Sequence, residues 1–186
     1  MAGEVLGGEA AVGFAAVVAI EHDLEAVCFE GHERKSREIC LYTGLYGPVE
    51  LQAIGLSEGA SLEPPTPFAV EKPVVYYGSS ITQGGCATRA GMSYQAIVSR
   101  RLNLDFVNLG FSGAGRGEPE LAEAVAEIDA SCFVMDWCQN CRTVEELAER
   151  YEPFLAIIRE AHPHTPIICI TAIFSTSEVL STEPRQ

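Results

Sequence analysis

Basic residues are scarce in this chain of 186: 12 Lys and Arg stand against 26 Asp and Glu, a formal net charge of −14. They cluster only at Arg34-Lys35-Ser36-Arg37. No basic face can therefore neutralise a run of phosphates, and nucleic acid is excluded as a partner. Long apolar runs are also lacking. The longest, residues 10–20, is too short to span a bilayer, and no Lys or Arg precedes it as a secretory leader requires. The chain is expected in the cytoplasm, without a membrane segment. No GxGxxG follows the first strongly apolar strand and no Lys sits in a Gly-rich loop, which argues against a nucleotide-binding domain. Repeats and low-complexity tracts are missing. Cysteine is present, but as seven residues without a framework spacing, which reads as reduced thiols. Cys138 and Cys141 form a CxxC with no second pair and no His in register, a poor zinc site and a weak redox motif. No cofactor is expected.

Apolar residues make up 47% of the chain, enough for a globular core. Residues 1–67 hold short apolar runs (13–20, 26–29, 39–42 and 49–56) broken by Gly, Pro and charge. None keeps helical spacing for three turns, so the segment reads as a small β-rich accessory domain. The Pro-rich stretch SLEPPTPF, residues 61–68, marks the boundary. From residue 68 to 186 strands and helices alternate. Strands are expected at 74–77, 106–109, 132–136 and 167–173, and helices at 93–102, 119–128 and 144–161. Pro119 suits a helix start. Val144, Leu147, Tyr151, Phe154, Leu155 and Ile158 keep helical spacing. Strand–helix alternation predicts a flavodoxin-like three-layer α/β/α domain with a parallel sheet.

In such a sheet ligands bind beyond the carboxyl ends of the strands. That rule selects the loops at 78–85, 110–117 and 136–142. The first follows Val74-Val75-Tyr76-Tyr77-Gly78, where the glycine permits a sharp turn and Ser79 and Ser80 come next. A serine on a strand-to-helix turn is placed to be a nucleophile, or simply caps the helix. The second, NLGFSGAG, has glycines dense enough to aim backbone N–H groups into a site, as an oxyanion hole requires. It also reads as a flexible connector. The third ends in Gln139-Asn140, where a side-chain amide can donate to an oxyanion; taken alone, Asn140 reads first as a turn residue or helix N-cap. Cys86 reads as a pocket-lining residue or a small buried hydrophobe. Arg116 reads as a steering charge for an anionic group or a solvated loop residue. Asp136 is placed to orient its loop by accepting backbone N–H bonds.

GSSIT, then NLGFSG, then a strand leading to an Asn resembles the SGNH (GDSL-type) hydrolase family. LYTGLYGPVELQAIGLSEGA and YGSSITQGGCATRAGMSY are similar to its bacterial branch with a small β-rich N-terminal domain. The resemblance implies a serine acylesterase or deacetylase acting on short acyl esters of carbohydrates or small metabolites. Ser80 would be the nucleophile, with Ser79 standing where the family name has Asp. The N–H groups of Ser80 and Gly113 and the amide of Asn140 would form the oxyanion hole. Small-molecule or carbohydrate esters are the implied partners, and oligomeric state is left open.

The family's general base is a His in a late DxxH block, and the sequence contains no such block. His22 and His32 lie in the N-terminal region. His162 and His164, in AHPHTP, fall between the long helix and the last strand, at the amino-terminal edge of the sheet and away from the site. A serine hydroxyl needs an adjacent base. The chain is thus expected to be a C-terminally truncated hydrolase, inactive or impaired as it stands. The alternative is a non-catalytic module, derived from a hydrolase, that holds a carbohydrate or a partner chain.

Overall fold

The structure, a computed structural model, describes residues 32, 33 and 35–173 in full and the backbone of strands at 5–8, 14–20 and 22–29. It divides into two compact units. Unit one comprises residues 1–71 and 87–105, unit two residues 72–86 and 106–186.

Unit one is built on short antiparallel strands. β1 (Val5–Gly8) pairs with β4 (Arg37–Cys40), while β2 (Phe14–Ile20) lies between β3 (His22–Phe29) and β5 (Glu50–Gly55). β2, β3, β4 and β5 fall on or overlap the four apolar runs of the sequence, and β1 precedes them. The short helix α2 (Tyr94–Leu102) also belongs here. Ser93 caps its start by accepting from the Ala96 N–H at 3.4 Å, and Asn103 ends it in the left-handed conformation.

Unit two contains most of a four-stranded sheet in the order β7-β6-β8-β9, formed by β7 (Leu104–Gly110), β6 (Val70–Gly78), β8 (Cys132–Asp136) and β9 (Ile167–Cys169). β6 runs parallel to β8, and β8 parallel to β9, as the strand–helix alternation predicts. Val74, Val75, Tyr76 and Tyr77 are all buried because β6 is an inner strand with both faces covered. On one face Val75, Tyr77, Phe133 and Met135 pack against Ala122 and Val125 of α3 (Pro119–Ala126) and Phe154 and Ile158 of α4 (Val144–Ala161). The Phe154 ring stacks on Tyr77 at 4.7 Å and lies 4.7 Å from Trp137. Thr143 caps α4 by accepting from the Glu146 N–H at 3.1 Å.

The elements differ from the sequence reading at several ends: β6 and β7 are longer than expected and α3 stops two residues early. The last strand, expected over 167–173, is Ile167–Cys169. Its pairing can continue only as far as β8 does. Ile170 N–H still reaches the Met135 carbonyl at 2.8 Å, but β8 stops at Asp136 and turns into a 3-10 turn, Cys138–Asn140. A one-turn helix, α1 (Ser80–Gln83), begins directly after β6. Four residues carry no readable periodicity, so it went unseen in the sequence.

Candidate active site

The three loops beyond the carboxyl ends of β6, β7 and β8 meet. Ser79 N–H donates to the Asp136 carbonyl at 2.9 Å, and Phe111 N–H to the Gly78 carbonyl at 2.9 Å. Loop one is therefore bonded through its backbone to both loop two and loop three at the point where the strands stop. Glycine makes this approach feasible. A Cβ at Gly78 would lie 2.2 Å from the Asp136 carbonyl oxygen, and one at Gly110 would lie 2.0 Å from the Gln83 nitrogen.

The two serines of loop one have different positions. Ser79 is buried, and its Oγ accepts from the Ile81 N–H at 3.3 Å as the cap of α1. Ser80 is the first residue of that helical turn and is half-buried. Its carbonyl accepts from the Gly84 and Gly85 N–H groups at 3.1 and 2.7 Å, which closes the turn. Gly84, at φ 105°, ends the helix in a conformation that an L residue resists. Of the pair, Ser80 is thus the more accessible residue.

Loop two carries Gly113 at φ 70°, exposed, with nothing within 4 Å of where a Cβ would stand. No acceptor for its N–H occurs among the described residues. Neighbouring N–H groups are engaged: Ser112 donates to Gln83 Oε1 at 2.9 Å, and Ala114 and Gly115 to the Phe111 carbonyl. Asn140, on the 3-10 turn of loop three, uses its amide to hold loop two. Nδ2 donates to the Phe111 carbonyl at 3.1 Å and to the Gly115 carbonyl at 2.8 Å. Ser80, Gly113 and Asn140 therefore lie on three loops joined by direct hydrogen bonds.

Several residues that the sequence reading did not single out make those joints. Thr82, fully buried, sends its hydroxyl to Asp136 Oδ2 at 3.0 Å and lies 3.2 Å from the Asp136 carbonyl. Asp136 Oδ1 accepts from Gln139 Nε2 at 3.3 Å. The Asp136 side chain thus serves Thr82 and Gln139, and it is the backbone carbonyl that receives Ser79. Asn108 spans the first two loops, donating to the Thr82 carbonyl and accepting from Gly110 N–H, both at 2.9 Å. Behind loop two, Tyr77 Oη donates to Glu118 and accepts from Gly117 N–H at 3.0 Å. Burial pushes the Tyr77 phenol well above its ordinary range, so it stays a neutral donor. The polar positions of SSITQ and of NLG were the available signal for Thr82, Gln83 and Asn108; their partners were not readable.

A second bridge joins loop three to loop two through α4. Glu146 Oε2 accepts from the Arg142 N–H at 2.9 Å, and Oε1 faces Arg150 at 3.5 Å and Arg116 at 3.9 Å. The Arg142 N–H, followed by the Arg150 and Arg116 guanidiniums, holds this carboxyl below its ordinary value. Arg116 is thus drawn into an ion cluster.

No histidine lies in the three loops. His162 ends α4, donates to the Ala126 carbonyl at 2.8 Å and packs 4.9 Å from the Phe133 ring, near the start of β8. His164 is exposed beside it, His32 belongs to unit one, and the His22 side chain lies outside the described residues. Cys138 donates from Sγ to the Ile170 carbonyl at 3.4 Å, and burial raises both the Cys138 and Cys141 thiols. Cys86 is exposed at φ 66°. Among the described residues no three His, Cys, Asp or Glu side chains converge as a metal site, and no helix is long and apolar enough to cross a membrane.

Comparison with known proteins identifies the family and the fold. The chain is similar to a GDSL-like lipase from Bacteroides ovatus, at 30% identity and a TM-score of 0.73, over 90% of this chain and 57% of that one. It is also similar to a salicylyl-acyltransferase from a tetracycline biosynthetic pathway, at 22% identity and a TM-score of 0.64, over 88% and 53% of the two chains. A family two carbohydrate esterase from Clostridium thermocellum, solved with cellohexaose, shares the fold at 16% identity and a TM-score of 0.62, over 96% and 70%. The chain thus spans little more than half the length of the first two. No curated protein matches it. The model of the GDSL-like lipase/acylhydrolase family matches residues 71–185, which include all three loops. The chain belongs to that family of hydrolases.

Proposed function

We propose that the protein is a serine ester hydrolase that removes a short acyl group from a carbohydrate or other small-molecule alcohol. The observation that carries this reading is the joining of Ser80, Gly113 and Asn140 by hydrogen bonds between their loops, in a chain of this hydrolase family. In the proposed reaction Ser80 Oγ adds to the ester carbonyl carbon and the carbonyl π electrons move to its oxygen. The N–H groups of Ser80 and Gly113 and the Asn140 amide donate to that oxyanion. Collapse expels the alcohol, and water then releases the acid. Each donor aimed at the oxyanion is worth roughly 10²–10³ in rate. Asn140 already gives its amide hydrogens to two carbonyls, so it serves as a donor here by sharing one of them.

The proton leaving Ser80 needs an acceptor, and the described histidines of unit two stand at the other end of the sheet. That observation favours a second reading, a non-catalytic carbohydrate- or partner-binding module. One assay separates the two. Hydrolysis of 4-nitrophenyl acetate by the chain is compared with hydrolysis by Ser80→Ala, with folding of both checked by circular dichroism. Turnover above the variant supports the enzyme. Equal background rates from two folded samples refute catalysis by Ser80 in this chain and favour the binding module.

A further inference from the structure

Unit one contains a pocket of about 460 Å³, lined by both polar and apolar groups, that the ester chemistry does not use. Its volume falls in the range of sites for small ligands, roughly 300–1,000 Å³. It is enclosed by β4, the Pro-rich connector and the last turn of α2. Asn103 builds one wall: its side-chain amide donates to the Pro67 carbonyl at 2.9 Å, and its own carbonyl accepts from Ala69 N–H at 2.7 Å. These bonds hold the connector against the helix end, so the cavity does not depend on a free loop.

Two oppositely charged groups line it without forming an ion pair among the described residues. Glu38 Oε2 accepts from the Thr66 hydroxyl at 3.4 Å. Arg100 lies over the Tyr42 ring, 5.3 Å from its centroid. The Tyr42 hydroxyl also lies within hydrogen-bond reach of the guanidinium, which holds Arg100 at the wall and leaves its other donors for a ligand. Burial, with the Cys40 thiol beside it, raises the Tyr42 phenol above its ordinary value, so the ring stays neutral beneath Arg100. Phe68 supplies an apolar wall and Ser99 a hydroxyl.

The chemistry of these groups limits the occupant. A carboxylate only accepts hydrogen bonds and a guanidinium only donates them. A net-charged ligand satisfies one and opposes the other. A hydroxyl both donates and accepts, and adjacent hydroxyls match both the two carboxylate oxygens and the guanidinium fork. Tyr42 and Phe68 can cover the C–H surface that such a ligand also carries. We propose that this pocket is a binding site for a neutral saccharide, with Glu38 and Arg100 as its paired hydrogen-bonding groups.

The test is titration of the full chain with neutral disaccharides, cellobiose and xylobiose, followed by ligand-observed NMR. Glycine serves as the zwitterionic competitor. Saturable binding of a disaccharide is expected, weakened about tenfold or more in Glu38→Gln and in Arg100→Gln, since each loses a charge-assisted bond. Thr66→Trp, at an exposed position on the rim, fills the cavity and abolishes binding even if a charge variant fails to fold. Aryl acetate turnover, where present, is unchanged in these variants. Absence of disaccharide binding overturns the proposal, as does binding that survives Thr66→Trp or that glycine alone shows. Binding without Ser80-dependent turnover refutes only the catalytic reading, so the two can fail separately.

Discussion

Gly110→Ala tests the claim that loops one and two are built by close backbone contact. The new Cβ would stand 2.0 Å from the Gln83 nitrogen, 2.4 Å from its Cα and 2.6 Å from the Thr82 carbonyl carbon. All three are main-chain atoms, so no side chain can rotate away, and contact distances near 3.5–4.0 Å demand a shift of more than an ångström. Overpacking of this kind costs about 1–3 kcal/mol. The shift also strains the bonds from Asn108 Nδ2 to the Thr82 carbonyl and from Ser112 N–H to Gln83, both 2.9 Å, worth roughly 0.5–1.5 kcal/mol each. A total near 3 kcal/mol lowers Tm by roughly 6–12 °C for a chain of this size. Gly113→Ala is the control. It meets no atom within 4 Å and pays only the cost of φ 70°, about 1–2 kcal/mol. Thermal unfolding by circular dichroism ranks the two. A Gly110→Ala protein as stable as the parent, or more stable than Gly113→Ala, refutes the packing argument.

Asn140→Ala removes both amide bonds to loop two, and any Ser80-dependent hydrolysis should fall at least ~10²-fold while the fold persists by circular dichroism. Glu146 has a depressed folded-state pKa, so its contribution to stability is present above the ordinary glutamate range and disappears as pH falls through the folded value. The parent and Glu146→Gln should therefore differ in Tm at pH 7 and converge below about pH 4, near the unfolded carboxyl's pKa. Iodoacetamide mass mapping of the native chain should modify exposed Cys86 and Cys169 before Cys138 and Cys141, whose thiolates burial disfavours.

The alternation of strands and helices was legible because the inner strands are buried on both sides. Val74 to Tyr77 and Cys132 to Asp136 stand out as unbroken runs for that reason. The rule that ligands bind beyond the carboxyl ends then sufficed to select the loops that meet. What remained hidden depends on distances between segments far apart in sequence. Glycines in the second loop were read as freeing N–H groups. Gly110 and Gly115 instead admit the neighbouring backbones of Gln83 and Gly78, and Gly117 lies under the Trp137 ring. Only Gly113 is left open in the way that reading assumed. Asp136 Oδ2 accepts from a threonine hydroxyl 54 residues earlier, a pairing that local pattern cannot reveal.

The titratable groups of the three loops are already committed. Asp136 receives Thr82 and Gln139, Glu118 receives Tyr77 and the Arg116 N–H, and the Cys138 and Cys141 thiols are held protonated by burial. A serine site without its base retains only the contribution of oxyanion donors and binding, about 10³–10⁴ over water. An external base should therefore restore part of the missing rate. Added imidazole is expected to raise aryl acetate hydrolysis by the chain above the rate imidazole gives alone, with saturation as it occupies the site. Ser80→Ala should show only the sum of the two backgrounds. If the parent shows no excess either, the loops do not hold Ser80 and its donors in a catalytic geometry. If the parent turns over at full speed without imidazole, a base lies outside the residues described.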